Sequence, residues 1–163
     1  MGNYTKNVVY GSVIIFVFSI LGSIFDYLAR LVLAKNLSLE EFGLFYAVFG
    51  LFAFIALFKT LGLGRSMIKY ISEYNSRKEF DKSKTVICWN IYIRIGLTIV
   101  ISLIMVLLSD FLSEHYFKNP AAKPLIYILA IWFVISTFQG IINQVFMALK
   151  KFFLYSLQTF LFK

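Results

Sequence analysis

Residues 85–109 read TVICWNIYIRIGLTIVISLIMVLLS, 25 positions in which Arg94 is the sole charged residue. At about 1.5 Å per residue, a helix of this length extends about 37 Å, enough to cross a hydrocarbon layer of about 30 Å. The rest of the chain has the same character. Of 163 residues 60% are hydrophobic and 15% charged, with a mean hydropathy of +0.81. A soluble domain runs at about 45–50% apolar and about 25% charged, so a water-facing surface cannot be built from this composition. The fold class is an all-α integral membrane protein. Disordered, collagen-like and disulfide-scaffold classes are excluded, because Pro occurs twice and Cys once. Cys88 and His115 are each the sole residue of their type, which removes zinc sites built on several His and Cys and a Cys/His nucleophile pair within one span.

Three further apolar runs flank that segment. Residues 8–34 form the first span, long enough to cross with a tilt. It continues through Asp26 and Arg30 without a small-residue cleavage site, so it reads as retained rather than as a signal peptide. Ser38 followed by Glu41 is a capping-box pattern, and it opens a second span over 42–63 that ends at Leu61-Gly62-Leu63-Gly64. In 65–80, Met67, Tyr70, Ile71 and Tyr74 recur at i, i+3, i+4 and i+7 beside a basic face, which predicts a helix lying in the interface. The fourth span covers 124–149, with Pro124 in its first turn, where the missing N–H costs nothing. Residues 152–163 start a fifth span; the 11 residues from Phe152 to Phe162 cover about 16 Å and cannot cross alone.

The formal charge is +8. In a soluble protein this excess would suggest nucleic acid; in a membrane chain it marks cytoplasmic flanks, and no nucleic-acid partner is expected. Ten Lys and Arg, including Lys59, Lys150 and Lys151, fall in the N-terminal flank, the 59–84 segment and the end of the fourth span. Three, Lys35, Lys118 and Lys123, fall on the opposite side. The expected protein is multi-pass in the cytoplasmic membrane, with its N-terminus in the cytoplasm.

A charge at mid-membrane costs about 2.5–3.5 kcal/mol on insertion scales. Arg94, within about 5 Å of the middle of its span, is therefore the first candidate: a guanidinium in a cavity suits bidentate phosphate binding, and its structural alternative is a pair with Asp26. Asp26 and Arg30 share a helix face at i, i+4, either lining a polar cavity or forming an intrahelical ion pair. Gln139 and Asn143 share a face of the fourth span beside Gln144. These amides donate and accept at once, which suits a sugar-binding wall as well as interhelical hydrogen bonding. The basic 65–84 loop reads as a topology determinant. No HExxH, GxSxG, Walker or paired-acid motif occurs, so neither an enzyme nor an ATP-driven pump is expected.

Ala34-Lys35-Asn36-Leu37-Ser38, Glu41-Phe42-Gly43-Leu44-Phe45, Leu61-Gly62-Leu63-Gly64-Arg65-Ser66 and Lys69-Tyr70-Ile71-Ser72-Glu73-Tyr74 follow one another in this chain. The succession resembles the opening of the polysaccharide biosynthesis or oligosaccharide flippase family, Wzx-like members of the multidrug/oligosaccharidyl-lipid/polysaccharide exporter superfamily. The motifs cover residues 5–84, and the later spans match by spacing. The resemblance implies two six-helix lobes around a cavity that opens alternately to each side. It also implies transport of a polyprenyl-diphosphate-linked oligosaccharide, with Arg30 and Arg94 toward the diphosphate and Asp26 orienting them or coupling to H+ or Na+. Gln139, Asn143 and Gln144 would then face sugars. No other cofactor is implied; the partners are the lipid-linked oligosaccharide, membrane lipids and other polysaccharide-assembly membrane proteins. On this reading the chain corresponds to helices one to four and the start of five, and is expected to be part of a longer protein. A four-span homo-oligomeric transporter and a non-transporting membrane subunit are the competing expectations.

Overall fold

The computed structural model describes residues 2–60 and 62–162, with side-chain surroundings from residue 9 onward. Leu61 of the Leu-Gly-Leu-Gly link and the side chain of Lys6 lie outside the described residues. Every element among them is helical: α1 Gly2–Asn36, α2 Leu39–Lys59, α3 Leu63–Ser76, α4 Phe80–Leu107, a single turn α5 Ser109–Phe111 running into a π-helical turn Leu112–Tyr116, α6 Ala122–Ala148 and α7 Phe152–Leu161. Among the described residues four segments are long and apolar enough to cross a membrane: Val9–Asn36, Leu39–Lys59, Phe80–Leu107 and Ala122–Ala148. The shorter apolar helix α7 follows them.

Local chemistry sets the breaks. Ser38 Oγ accepts from the Glu41 amide at 3.2 Å while the Glu41 carboxylate accepts from the Ser38 amide at 2.9 Å, so both orphan donors at the start of α2 are satisfied. At the other end Gly62 takes φ +73, a left-handed conformation that glycine adopts without steric cost. The chain turns there and restarts as α3.

The helix α6 is the hub, packing on α2, α3, α4 and α7. One core joins Val48 and Phe52 of α2, Met105 of α4, and Ile126, Leu129 and Phe133 of α6; a second joins Met67 and Ile71 of α3 with Ile141 and Ala148 of α6. This second core departs from the sequence expectation for 65–80. Met67 and Ile71 are fully buried, Tyr74 is half-buried and Tyr70 is exposed. The apolar stripe is thus narrower than its periodicity implies, and it is taken up by α4 and α6. Apolar residues at helical spacing show that a helix has a face to cover, not whether lipid or protein covers it.

The helix α1 stands apart from this bundle. Among the described residues its main partner is α7, with a small contact to α2 and none to α4 or α6. Phe18 makes edge-on contacts with Phe153 and Phe160 at 6.1 and 5.9 Å, and Phe25 meets Phe160 at 5.5 Å. Gly11 lies under the Phe152 ring, where an added Cβ would come within 2.3 Å of it. At the far end of the bundle Asn119 donates to Glu40 at 3.1 Å and Lys123 pairs with Asp110. The α1–α2 and α5–α6 connections therefore lie at one end, as the alternation of basic and poorly basic loops requires.

Candidate functional site

Along α4, Asn90, Arg94, Thr98 and Ser102 recur every four residues, which places them on one helical stripe. The last three are buried, Arg94 to 2% exposure, and the stripe packs on α6. The Thr98 and Thr137 hydroxyls lie 3.1 Å apart, and each is also within reach of a carbonyl of its own helix, Arg94 at 2.7 Å and Phe133 at 3.0 Å, so one hydroxyl donates across the interface while the other donates within its helix. Ser102 donates to the Ala130 carbonyl across the interface. Hydroxyls of this kind let two helices approach closely in a medium that offers no water.

Arg94 terminates the hydroxyl ladder. Its Nη1 donates to Gln144 Oε1 at 2.7 Å, and its Nη2 lies against α6 where Gly140 leaves room; a Cβ there would sit 3.3 Å away. Its Nε is buried and has no hydrogen-bond partner among the described residues. Gln144 is held from the other side by Gly64, at the start of α3, where an added Cβ would fall 2.5 Å from Nε2.

One turn along α6 from Gly140, Ser136 accepts a 2.9 Å hydrogen bond from Lys59, whose ammonium also lies 4.5 Å from the centre of the Phe133 ring. Lys59 and Arg94 therefore lean on consecutive turns of α6, and their charges act on each other. No carboxylate among the described residues relieves this. Glu73, Glu79, Asp81 and Asp110 pair with Arg77, Lys82, Lys84 and Lys123. Glu40 and Glu41 stand at the start of α2, Glu114 is in the π-helical turn, and Asp26 is on α1, which does not touch α4.

The sequence candidates separate accordingly. Arg94 and Gln144 are brought together. Asp26 is half-buried and Arg30 exposed on α1, so neither joins the Arg94 cluster, and the Asp26–Arg94 pair considered from sequence does not form. Gln139 and Asn143 lie on a different side of α6 from Gln144. Gln158 of α7 donates to the Gln139 carbonyl at 3.4 Å, and Asn143 Oδ1 and Gln158 Oε1 are buried without partners among the described residues. Of the other polar side chains on α1 and α4, Tyr27 and Tyr92 are exposed and Asn90 Nδ2 donates to the Val86 carbonyl. Among the described residues no group of three His, Cys, Asp or Glu could hold a metal ion.

Lys59, Ser136, Gly140, Gly64 and the Thr98–Thr137 pair were missed by sequence reasoning. A signal existed for two of the α6 positions: Ser136 and Gly140 are spaced four apart from each other and from Gln144, a stripe of small and polar residues along the span.

Comparison with known proteins agrees with this architecture. An uncharacterized membrane protein of Methanocaldococcus jannaschii is 28% identical over 93 residues, 57% of this chain and 18% of that relative, so the matched region spans under a fifth of the relative's length. No solved structure matches. The sequence profile of the family described as polysaccharide biosynthesis protein matches residues 8–161, nearly the whole chain and all four membrane-crossing helices. With that coverage, the chain belongs to the polysaccharide biosynthesis protein family.

Proposed function

We propose that this chain is part of a flippase that moves a polyprenyl-diphosphate-linked oligosaccharide across the cytoplasmic membrane by alternating access, with its N-terminus in the cytoplasm. Family membership supports a membrane-transport role rather than an enzymatic one. The observation that carries the finer reading is Arg94: a guanidinium buried within a membrane-crossing helix, held by a neutral amide, with one N–H unpartnered among the described residues. A structural ion pair would place a carboxylate there. A guanidinium held by an amide keeps its charge uncompensated, and a diphosphate offers the oxygens that satisfy it bidentately.

In this reading Gln144 orients the guanidinium until phosphate oxygens replace the amide, and the unpartnered carbonyl oxygens of Asn143 and Gln158 face sugar hydroxyls, which are donors. Asp26 and Arg30, on the helix that α7 ties to the bundle, serve the coupling ion or the edge of the cavity. Translocation then needs no covalent step; the prenyl tail stays in lipid while the helices rock around the headgroup.

The test is Arg94→Ala in the full-length protein, with export of lipid-linked oligosaccharide and membrane abundance measured together. Export should fall at least tenfold at unchanged abundance; normal export removes the assignment. Loss of abundance with normal export per molecule would favour a non-transporting subunit whose polar residues serve assembly.

A further inference from the structure

We propose that α2 and α3 cross the membrane as one broken segment, and that Lys59, at the break, is an intramembrane cation that shares a phosphate-bearing ligand with Arg94. By hydropathy α2 ends at Lys59, which places that residue at a membrane surface. The packing places it elsewhere. Phe52 of α2 meets Phe133 of α6 with ring centroids 5.8 Å apart, Lys59 meets Ser136, Gly64 meets Gln144, and Met67 and Ile71 of α3 share a core with Ile141 and Ala148. The two chains keep step along the length of α6, with the Gly62 turn falling between the contacts to Ser136 and Gln144. Ser136 stands near the middle of α6, a helix that itself spans Ala122–Ala148. Lys59 is therefore as deep as the middle of its neighbour, and α3 supplies the remaining turns of the crossing.

A break at this depth exposes backbone ends where no water stabilises them, and such breaks persist in membranes where they line a cavity or are covered by protein. Here the break sits beside two cations with no carboxylate between them. A phosphate-bearing anion answers both: its oxygens accept from the unpartnered Nε of Arg94 and draw the ammonium of Lys59 off Ser136. The ligand rests on the flippase reading, but the shared chemistry is phosphate, which a lipid-linked diphosphate or an anionic lipid headgroup could each supply.

The test uses the full-length protein in inverted vesicles with Cys88→Ser as background. Lys59→Cys should react with a small anionic thiosulfonate and resist a bulky impermeant maleimide that labels Lys78→Cys in the loop after α3. Labelling of Lys59→Cys by that maleimide, or solely by a membrane-soluble maleimide as for the outward-facing Leu57→Cys, would overturn the broken crossing. Ser136→Cys, with both cations intact, reports the ligand. Its modification should slow at least threefold with inorganic pyrophosphate in phosphatidylcholine vesicles, or with phosphatidylglycerol replacing phosphatidylcholine and no pyrophosphate; the arm that protects identifies the source. Lys59→Gln and Arg94→Ala should each abolish the protection and Lys59→Arg should retain it. Absence of protection in both arms, or protection indifferent to Lys59, refutes the shared site. Protection that persists in a protein exporting no lipid-linked sugar would leave the site standing and remove the flippase reading.

Discussion

Gly64 and Gln144 are packed so closely that the hydrogen atom in place of a Gly64 side chain is what lets the Gln144 amide reach Arg94. A methyl group at residue 64 must push the amide away, and the amide is the group that orients the guanidinium. Gly64→Ala should therefore reduce export several-fold, and Gln144→Ala should do the same. Because both act through one contact, the double variant should be no worse than either alone. Additive losses in the export assay would show that Gly64 acts through some other contact.

Arg94→Lys separates charge from geometry. An ammonium keeps the charge but lacks the planar fork that reaches Gln144 and a bidentate ligand together. Export should stay at least fivefold below that of the unaltered protein while abundance is unchanged. Full activity in Arg94→Lys would reduce the role of this residue to that of a point charge.

The hydroxyl contact between Thr98 and Thr137 is a modest stabiliser, since the hydroxyl that donates across the interface gives up the bond to its own helix carbonyl. Thr98→Val should cost about 0.6 kcal/mol, the typical interhelical hydrogen bond in a membrane. Phe133→Ala should cost about 3–5 kcal/mol, because it opens a cavity against Phe52 and removes the ring beneath Lys59. Unfolding in mixed micelles ranks the two, and equal losses would contradict the packing.

At the start of α2, Ser38→Ala should cost about 1 kcal/mol by leaving the Glu41 amide without its acceptor. Hydrogen exchange of the first-turn amides of α2 should accelerate about fivefold, with exchange in α6 unchanged. Uniform acceleration through the bundle would mean that the box stabilises the whole fold rather than one end.

What could be read from the sequence was local. The four apolar runs, the capping box and the oddity of Arg94 are all visible within a window of a few turns, because hydropathy and capping depend on near neighbours. Lys59 was counted among the loop cations, since a lysine followed by Thr-Leu-Gly looks like the end of a span from either side. Its depth is set by Ser136, 77 positions away. The stripe on α3 carried no information about which surface would cover it. Gln139 and Asn143 do share a face, as their spacing requires, yet it is Gln144, one residue on, that reaches Arg94, because each step along a helix turns by about 100°.

The pairing of α1 with α7 bears on how the protein is made. Gly11 and Phe152 are in contact but 141 positions apart, and a ribosome adding about 5–20 residues per second needs about 7–28 s to cover that distance. During that interval α1 is without its main neighbour, and the phenylalanines that will meet α7 are open to lipid, to other nascent chains or to an insertion chaperone. The packing of α2, α3 and α4 on α6 does not involve α1, so α1 docks only once α7 has followed them.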